Sequence, residues 1–407
     1  MTAQTGRPAI CVLSSLFPSR IQPNAGLFIR ERMFRVARER PLSVVAPTPW
    51  FPLQSLIRLR YPNFRPGAPA YEQQSGIDAW YPRFFSVPGV FKTQDPSFMA
   101  QAALPRLREL QRRGRLDLLD AHFGYPDGVA ASQLARRLGV PFTITLRGSE
   151  RTYVEQPAYR AAIATALQQA SRVIGVSQSL CDLAVSLGVP AERVISIPNG
   201  VDSTRFHPVD RRAARERYGI PQDAPVIISV GWLIERKGFH RVLDCLPALV
   251  QQFPTLRYLI VGGTATGSEN IEPALRDQVQ RLGLEPHVQF LGALPQDALA
   301  WPLSAADLFV LATRREGWAN VFLEAMSCGL PVVTTHVDGN PEVVCRPELG
   351  TLVPFGDQGA LQAAVEQGLR QDWNRAAIID YARANQWSSR IQQLLAVFDS
   401  VVERHPG

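Results

Sequence analysis

The chain has 407 residues, 46% of them apolar, and a formal net charge of +7 carried almost wholly by arginine, with Lys92 and Lys237 as its two lysines. That length and apolar content exceed one ordinary core and predict two globular domains, while no run approaches the ~18 apolar residues of a membrane span. The positive balance suits polyphosphate ligands, an anionic membrane surface or nucleic acid, and does not choose among them.

The first apolar run, AICVLSSLF (Ala9 to Phe17), is too short and too weakly preceded by charge for a signal peptide. It ends at Pro18 without an A-x-A pattern and reads as a buried first strand. Short apolar runs then alternate with helical patterns, the mark of parallel α/β construction. In the first half they are AICVLSSL, LSVVAP, LDLLDAHF, PFTITLRG, RVIGVS and RVISIPNG; a fresh series follows with PVIISVGW, LRYLIVGG, VQFLGAL, DLFVLAT and PVVTT. The polar segment from Asn199 to Pro225 separates the two series. The expected division is residues 1–203, residues 204–386 and a final helix over 387–407. In that helix Ile391, Leu394, Leu395, Phe398 and Val401 fall at helical spacing, and it is expected to pack back towards the first domain. Two doubly wound units would leave a cleft with strand C-termini pointing into it. The five cysteines, Cys11, Cys181, Cys245, Cys328 and Cys345, form no CxxC and no even framework. They read as reduced core thiols, which fits a cytoplasmic protein. No His/Cys cluster has zinc spacing and no D-x-D pair occurs, so no metal site is expected.

The segment TRREGWANVFLEAMSCGLPVVTT (residues 313–335) places Glu316 and Glu324 eight positions apart around a Gly317-Trp318-Ala319-Asn320 turn. Asn320 is the expected N-cap of a helix through VFLEAMSC that Gly329 and Pro331 end. The start of such a helix, with unpaired amides and partial positive charge, suits a diphosphate. Helical side chains lean towards the N-terminus, so Glu324 would reach back to a ligand there, and Glu316 would approach it from another side. A carboxylate accepts from two neighbouring sugar hydroxyls, so the spacing suits a ligand with phosphate in the middle and a sugar at each end. Capping and dipole roles for the two acids remain the alternative on the residues alone.

The same stretch, EGWANVFLEAMSCGLPVV followed by DGNPEVV, resembles the E-x7-E signature of the retaining glycosyltransferase family 4, whose fold is the two-domain GT-B arrangement. DLLDAHFGYPDGVAA, PFTITLRGSE, VIGVS, ISIPNGVD, SVGWLIERKG and YLIVGG continue the resemblance in order, from about Ala9 to Val353. It implies that Glu324 binds ribose hydroxyls, Glu316 the transferred sugar, and Lys237 the diphosphate of a nucleotide-sugar co-substrate. Many relatives carry an arginine where this chain has Trp232; Arg236 is the candidate replacement. His122, in AHFGYPDG, takes the place of a family histidine that faces the donor sugar and polarises the reacting centre; a structural hydrogen-bonding role is the alternative. Gly26, in SRIQPNAGLFIRER, would let backbone approach the ligand. Arg147 in LRGSE fits a family variant, with Glu150 in place of a shorter acid. PNGVD (Pro198 to Asp202) reads as a turn rather than a catalytic element.

The implied reaction is metal-independent retaining transfer from a nucleotide sugar to a glycan or lipid-linked acceptor in surface polysaccharide or glycoconjugate synthesis. YPDGVAA and RGSE are similar to bacterial members such as the teichuronic acid glycosyltransferases. WFPLQSLIRLRYPNFRPG (Trp50 to Gly67) mixes aromatics and arginines without acids. It reads either as a peripheral contact with an anionic membrane, with Arg32 and Arg35 adding to that face, or as a solvated basic loop. A nicotinamide enzyme would want G-x-G-x-x-G after an early strand, which IVGGTATG (Ile260 to Gly267) does not supply. A two-carboxylate hydrolase leaves Lys237 unexplained. A non-catalytic sugar-nucleotide or polysaccharide binder that kept the fold is the alternative that Trp232 favours. Dispersed arginines and the lack of a recognition motif argue against nucleic acid.

Overall fold

The computed structural model describes residues 7–60, 64–263 and 269–405. The chain forms two compact units, one running to Asn199 and resuming at Ser388, the other Gly200–Trp387. The crossings thus fall at 199/200 and 387/388, a few residues from those read in the sequence. The side chain of Asn199 accepts from Arg147 Nη1 at 3.0 Å, which ties it to the first unit. Val201 donates its N–H to Asn385 O at 3.0 Å within the second.

The first unit contains β1 (Ile10–Leu13), β2 (Leu42–Val45), β3 (Thr48–Trp50), β4 (Tyr71–Gln74), β5 (Ile77–Trp80), β6 (Arg83–Phe85), β7 (Leu118–His122), β8 (Phe142–Leu146), β9 (Arg172–Gly175) and β10 (Val194–Ser196). Eight of them make one sheet in the order β10-β9-β8-β7-β1-β2-β5-β4, with β3 and β6 paired separately. Every pairing in the large sheet is parallel except β4 with β5 at its edge. Continuous burial of β1, β2, β7 and β8 explains their unbroken apolar runs, since helices cover a parallel sheet on both faces. The final helix, Trp387–Glu403, buries Ile391, Leu394, Leu395, Phe398 and Val401, and Asp399 pairs with Arg40 at 2.6 Å.

The second unit contains β11 (Val226–Val230), β12 (Arg257–Val261), β13 (Val288–Gly292), β14 (Leu308–Leu311), β15 (Val332–Thr335) and β16 (Gly350–Val353). All are parallel, in the order β13-β12-β11-β14-β15-β16. The order reverses between β11 and β14. Connections that leave the C-termini of these two strands depart to opposite sides, which opens a crevice at that point.

Two expectations need correction here. Asn320 does not cap the helix: Ala319 precedes a helix Asn320–Ser327, and no side chain caps it. The chain enters that helix over Phe322, which packs edge-on to Phe309 of β14 at 5.7 Å between ring centroids, so burial fixes the start in place of a capping hydroxyl or amide. Arg32 and Arg35 do not face outward. Arg32 is fully buried and donates to Ile197 O at 2.9 Å, and Arg35 pairs with Glu31 at 2.6 Å on its own helix, Leu27–Val36.

The turn that follows β11 closes at Gly238, with φ +76°, where an added Cβ would stand 1.9 Å from the carbonyl oxygen of Ala312. Both the backbone conformation and the close approach of the β14 loop require glycine. Gly238→Ala is therefore expected to lower unfolding free energy by roughly 2 kcal/mol or more, read by urea denaturation, through strain and overpacking. A midpoint equal to that of the wild type would contradict the close approach.

Candidate active site

The loops after β11 and β14 meet at the reversal point of the second sheet. A short turn over Glu235–Lys237 follows β11 and puts Arg236 and Lys237 towards the β14 loop. Arg314 N–H donates to Arg236 O at 2.8 Å, Thr313 Oγ1 to the same oxygen at 3.1 Å, and Arg236 Nη1 to Arg315 O at 2.8 Å. This knit brings both cations onto one carboxylate. Glu316 accepts from Arg236 Nη1 at 3.2 Å through one oxygen and from Lys237 Nζ through the other. Adjacent residues diverge on any helical turn, and it is the reach of these two long side chains that brings Arg236 and Lys237 onto the same carboxylate.

Glu316 keeps only 8% of its side chain exposed, Lys237 13% and Arg236 44%, so the group opens to solvent on the arginine side. Burial alone would raise the Glu316 pKa; Lys237 and then Arg236 outweigh it and hold the carboxyl below its ordinary value. The backbone of Glu316 is fixed as well: its N–H donates to Asp338 Oδ2 at 3.0 Å, and its carbonyl accepts from Gly339 N–H at 3.1 Å. The segment Gly317, Trp318 and Ala319 then leads into the helix at Asn320, and the Trp318 indole Nε1 is buried without an acceptor among the described residues. Glu324, one turn into this helix, is half-buried. Glu316, Lys237, Arg236 and the segment 317–320 are thus brought together, with the helix start beside them. Trp232 is 45% exposed and its ring lies against Gly263, so it offers no charge to this cluster.

The first unit holds a second polar cluster at the end of β7. His122 is fully buried, and Arg147 donates to its Nδ1 from Nη2 at 2.8 Å and from Nε at 3.3 Å. The ring proton must then sit on Nε2, which lies 3.2 Å from Asp120 Oδ2 but off the line of a hydrogen bond. Burial drives the His122 pKa down to about 4 against a smaller opposing pull from Asp120, so the ring is neutral near pH 7. Arg147 is itself held by Asn199, and burial, followed by Arg32, lowers its pKa. Glu150 accepts from the backbone N–H groups of Gly124 at 2.8 Å, Gly148 at 2.7 Å and Arg147 at 3.2 Å. Its extra methylene therefore serves a loop-organising role.

Asp120 and Asp127 went unread as members of this group, and Glu150 was read only as a lengthened acid beside Arg147. Asp127 takes hydrogen bonds from Ser15 N–H and, at 2.9 Å, Ser15 Oγ, which joins the loops after β7 and β1. Its burial pushes the pKa up to about 7, with the two Ser15 bonds pulling it back. The spacing Asp120, His122, Asp127 around a strand end was the available signal. Gly26 has a φ of +70°, and a Cβ there would lie 2.3 Å from Leu16 O. The loop's own packing demands this glycine. The segment around IVGGTATG lies partly outside the described residues, from 264 to 268.

Two doubly wound parallel sheets, one with cations and a carboxylate at its switch point, define a glycosyltransferase of the GT-B class. The fold is shared with sucrose-phosphate synthase from Thermosynechococcus elongatus, at TM-score 0.79 and 20% identity over 98% of this chain and 100% of that one. Anabaena HepE in complex with UDP shares it at TM-score 0.72 and 21% identity, over 96% and 100%. Residues 59–205 match the model of Glycosyltransferase Family 4, and residues 210–385 that of Glycosyl transferases group 1. A protein of Bacillus subtilis (strain 168) named as the teichuronic acid biosynthesis glycosyltransferase TuaC is 27% identical over 370 residues, 89% of each chain. The GDP-mannose-dependent alpha-(1-6)-phosphatidylinositol monomannoside mannosyltransferase of Mycolicibacterium smegmatis is 32% identical over 294 residues, 68% of this chain and 75% of that one. The chain belongs to glycosyltransferase family 4. It is an enzyme of glycoconjugate synthesis, which sets aside the oxidoreductase, hydrolase and non-catalytic readings.

The buried neutral histidine has a measurable consequence. Unfolded His122 takes a proton near its ordinary pKa of 6.5 while the folded ring resists until about 4. Its contribution to stability is therefore lost as pH falls through that window. Asp127 works in the opposite sense, because its folded pKa is raised, so the informative quantity is a difference. The unfolding free energy of the wild type minus that of His122→Asn is expected to shrink between pH 6.5 and about 4, measured in urea. A difference independent of pH would rule out a buried neutral ring.

Proposed function

We propose that the enzyme moves a sugar from a nucleotide-sugar donor to a glycan or lipid-linked acceptor with retention of anomeric configuration and without metal in the chemical step. The observation that carries this reading is the convergence of Lys237 and Arg236 on Glu316 beside the start of the helix Asn320–Ser327. As the glycosidic bond breaks, negative charge grows on the departing diphosphate. Lys237, Arg236 and the amides at the helix start supply fixed positive potential for it. Glu316 accepts hydrogen bonds from the transferred sugar, and Glu324 from the ribose hydroxyls. The acceptor oxygen bonds to the anomeric carbon on the face the diphosphate leaves, and its proton passes to the departing phosphate oxygen. His122 keeps the sugar-binding and polarising role that the family resemblance gives it.

Names of related proteins support the donor class without naming it for this chain: the Mycolicibacterium relative is described as GDP-mannose-dependent, and a structure of Anabaena HepE holds UDP-glucose. The base is open to a thermal-shift panel of UDP-, GDP-, ADP- and dTDP-sugars, because a ligand that binds only the native state raises its midpoint.

Glu316→Gln and Lys237→Ala are each expected to lower turnover by about a hundredfold or more on the true acceptor, the scale of losing one preorganised charge partner. Near-normal rates in both would refute the site. Activity should persist in EDTA, and proton NMR of the product should show the donor's anomeric configuration. Loss of activity with chelator counts against the metal-free step, and an inverted product against retention.

A further inference from the structure

The helix Gln54–Arg60 of the first unit is built inside out. Its buried residue is polar: Gln54 donates from Nε2 to Arg65 O at 3.1 Å, and the half-buried Arg58, beside the half-buried Ile57, donates from Nε to Phe64 O at 3.2 Å. Its exposed groups include Leu56, at 58%, and Leu59, at 83%, beside Ser55 and Arg60, and Leu53, just before the helix, is 71% exposed. Leu56 and Leu59, at three-residue spacing, share one side of the helix, here a side turned to water. A helix that packs on a protein core does the reverse.

A neighbouring loop extends the apolar surface. β3 pairs with β6 in a register that sets Trp50 opposite Phe85, and both side chains are exposed. The chain leaving β6 is tied back by Arg65 Nη1 on Ser86 O at 2.5 Å and by Lys92 Nζ on Ser86 Oγ at 2.7 Å. It then exposes Val90 and Phe91, the latter at 60% and at a φ of +55° that few aromatic residues adopt. Among the described residues, half of the exposed large apolar side chains lie in these two short stretches. Scattered exposed apolar groups need no explanation, but a local concentration marks a contact surface.

Charge says what that surface meets. Residues 41–71 and 79–94 contain no Asp or Glu. Lys92 is paired with Asp95 at 2.8 Å, and Arg58 and Arg65 are engaged with Phe64 O and Ser86 O, while Arg60 and Arg83 stand exposed near the leucines and aromatics. Exposed leucines with exposed arginines beside them match a surface that is apolar beneath and negative above. A protein partner's interface core would instead be poor in charge. We propose that this patch docks the enzyme on the surface of an anionic lipid bilayer, with Leu53, Leu56, Leu59 and Phe91 entering the boundary between headgroups and acyl chains and the exposed Arg60 and Arg83 pairing with lipid phosphates. The proposal does not depend on the donor reading, because docking is measured without sugar nucleotide.

The test is flotation of the full chain with two kinds of vesicle, phosphatidylcholine alone and phosphatidylcholine with one part in about three of phosphatidylglycerol. The wild type should float with the anionic vesicles and stay behind with the neutral ones. Binding should weaken at about 1 M salt, where the screening length falls to ~3 Å. The double variant Leu56→Glu/Leu59→Glu, at exposed positions, should keep its melting temperature and lose roughly tenfold or more in vesicle affinity. Leu282→Glu, on an exposed leucine of the second unit, should bind as the wild type does. A wild type that stays in solution with anionic vesicles overturns the proposal, as does a double variant that floats equally well. A wild-type dimer in sedimentation that the double variant dissolves, with no flotation by either, would assign the patch to self-association instead.

Discussion

A carboxylate shielded from water between a lysine and an arginine is the interaction that ties together the loops at the second unit's reversal point. Glu316 sits there because two strands far apart in sequence, β11 and β14, are neighbours at the point where strand order reverses. The cations come from the loop after one strand and the acid from the loop after the other. A buried ion pair is weak evidence for stability, since desolvation offsets much of the Coulomb attraction. It is better understood as a means of holding charge in a fixed geometry. In the absence of ligand the three groups satisfy one another.

The first unit uses the same device for a different purpose. Its buried groups, Asp120, His122, Arg147, Glu150 and Asn199, also gather around strand ends, but they engage one another and the backbone. Arg147 fixes the tautomer and orientation of His122, and burial keeps the ring uncharged. A neutral, oriented imidazole suits hydrogen bonding to a polar ligand better than proton abstraction. Arg147 thus holds the histidine, and Asn199 holds Arg147.

Much of this was legible in the sequence, and the exceptions have physical causes. The eleven runs read as strands are strands, because parallel strands covered on both faces are written as continuous apolar residues. Five strands went unread, and β3, β4 and β6 among them lack that signature. β3 and β6 have three residues each and a proline or arginine among them, and β4 is a polar edge strand joined to β5 through Ser75-Gly76, both at positive φ. A two-residue turn of that kind is a hairpin signal that the polar flanks disguised. Lys237, Arg236 and Glu316 were readable as candidates, but only the strand order explains why adjacent cations reach one acid. Asn320 misled because local capping preference was overridden by the packing of Phe322. The inverted helix at Gln54–Arg60 could not be assigned from its residues, since leucines at that spacing are ordinarily taken to face inward.

The central claim is that the reversal point of the second sheet holds the donor's diphosphate. A crystal structure of the enzyme with a non-transferable sugar nucleotide tests it most directly. The account predicts phosphate oxygens within hydrogen-bonding reach of Lys237 Nζ and the helix start at Asn320, with the sugar against Glu316. A sugar nucleotide bound elsewhere, with the lysine still closed on the glutamate, would contradict it.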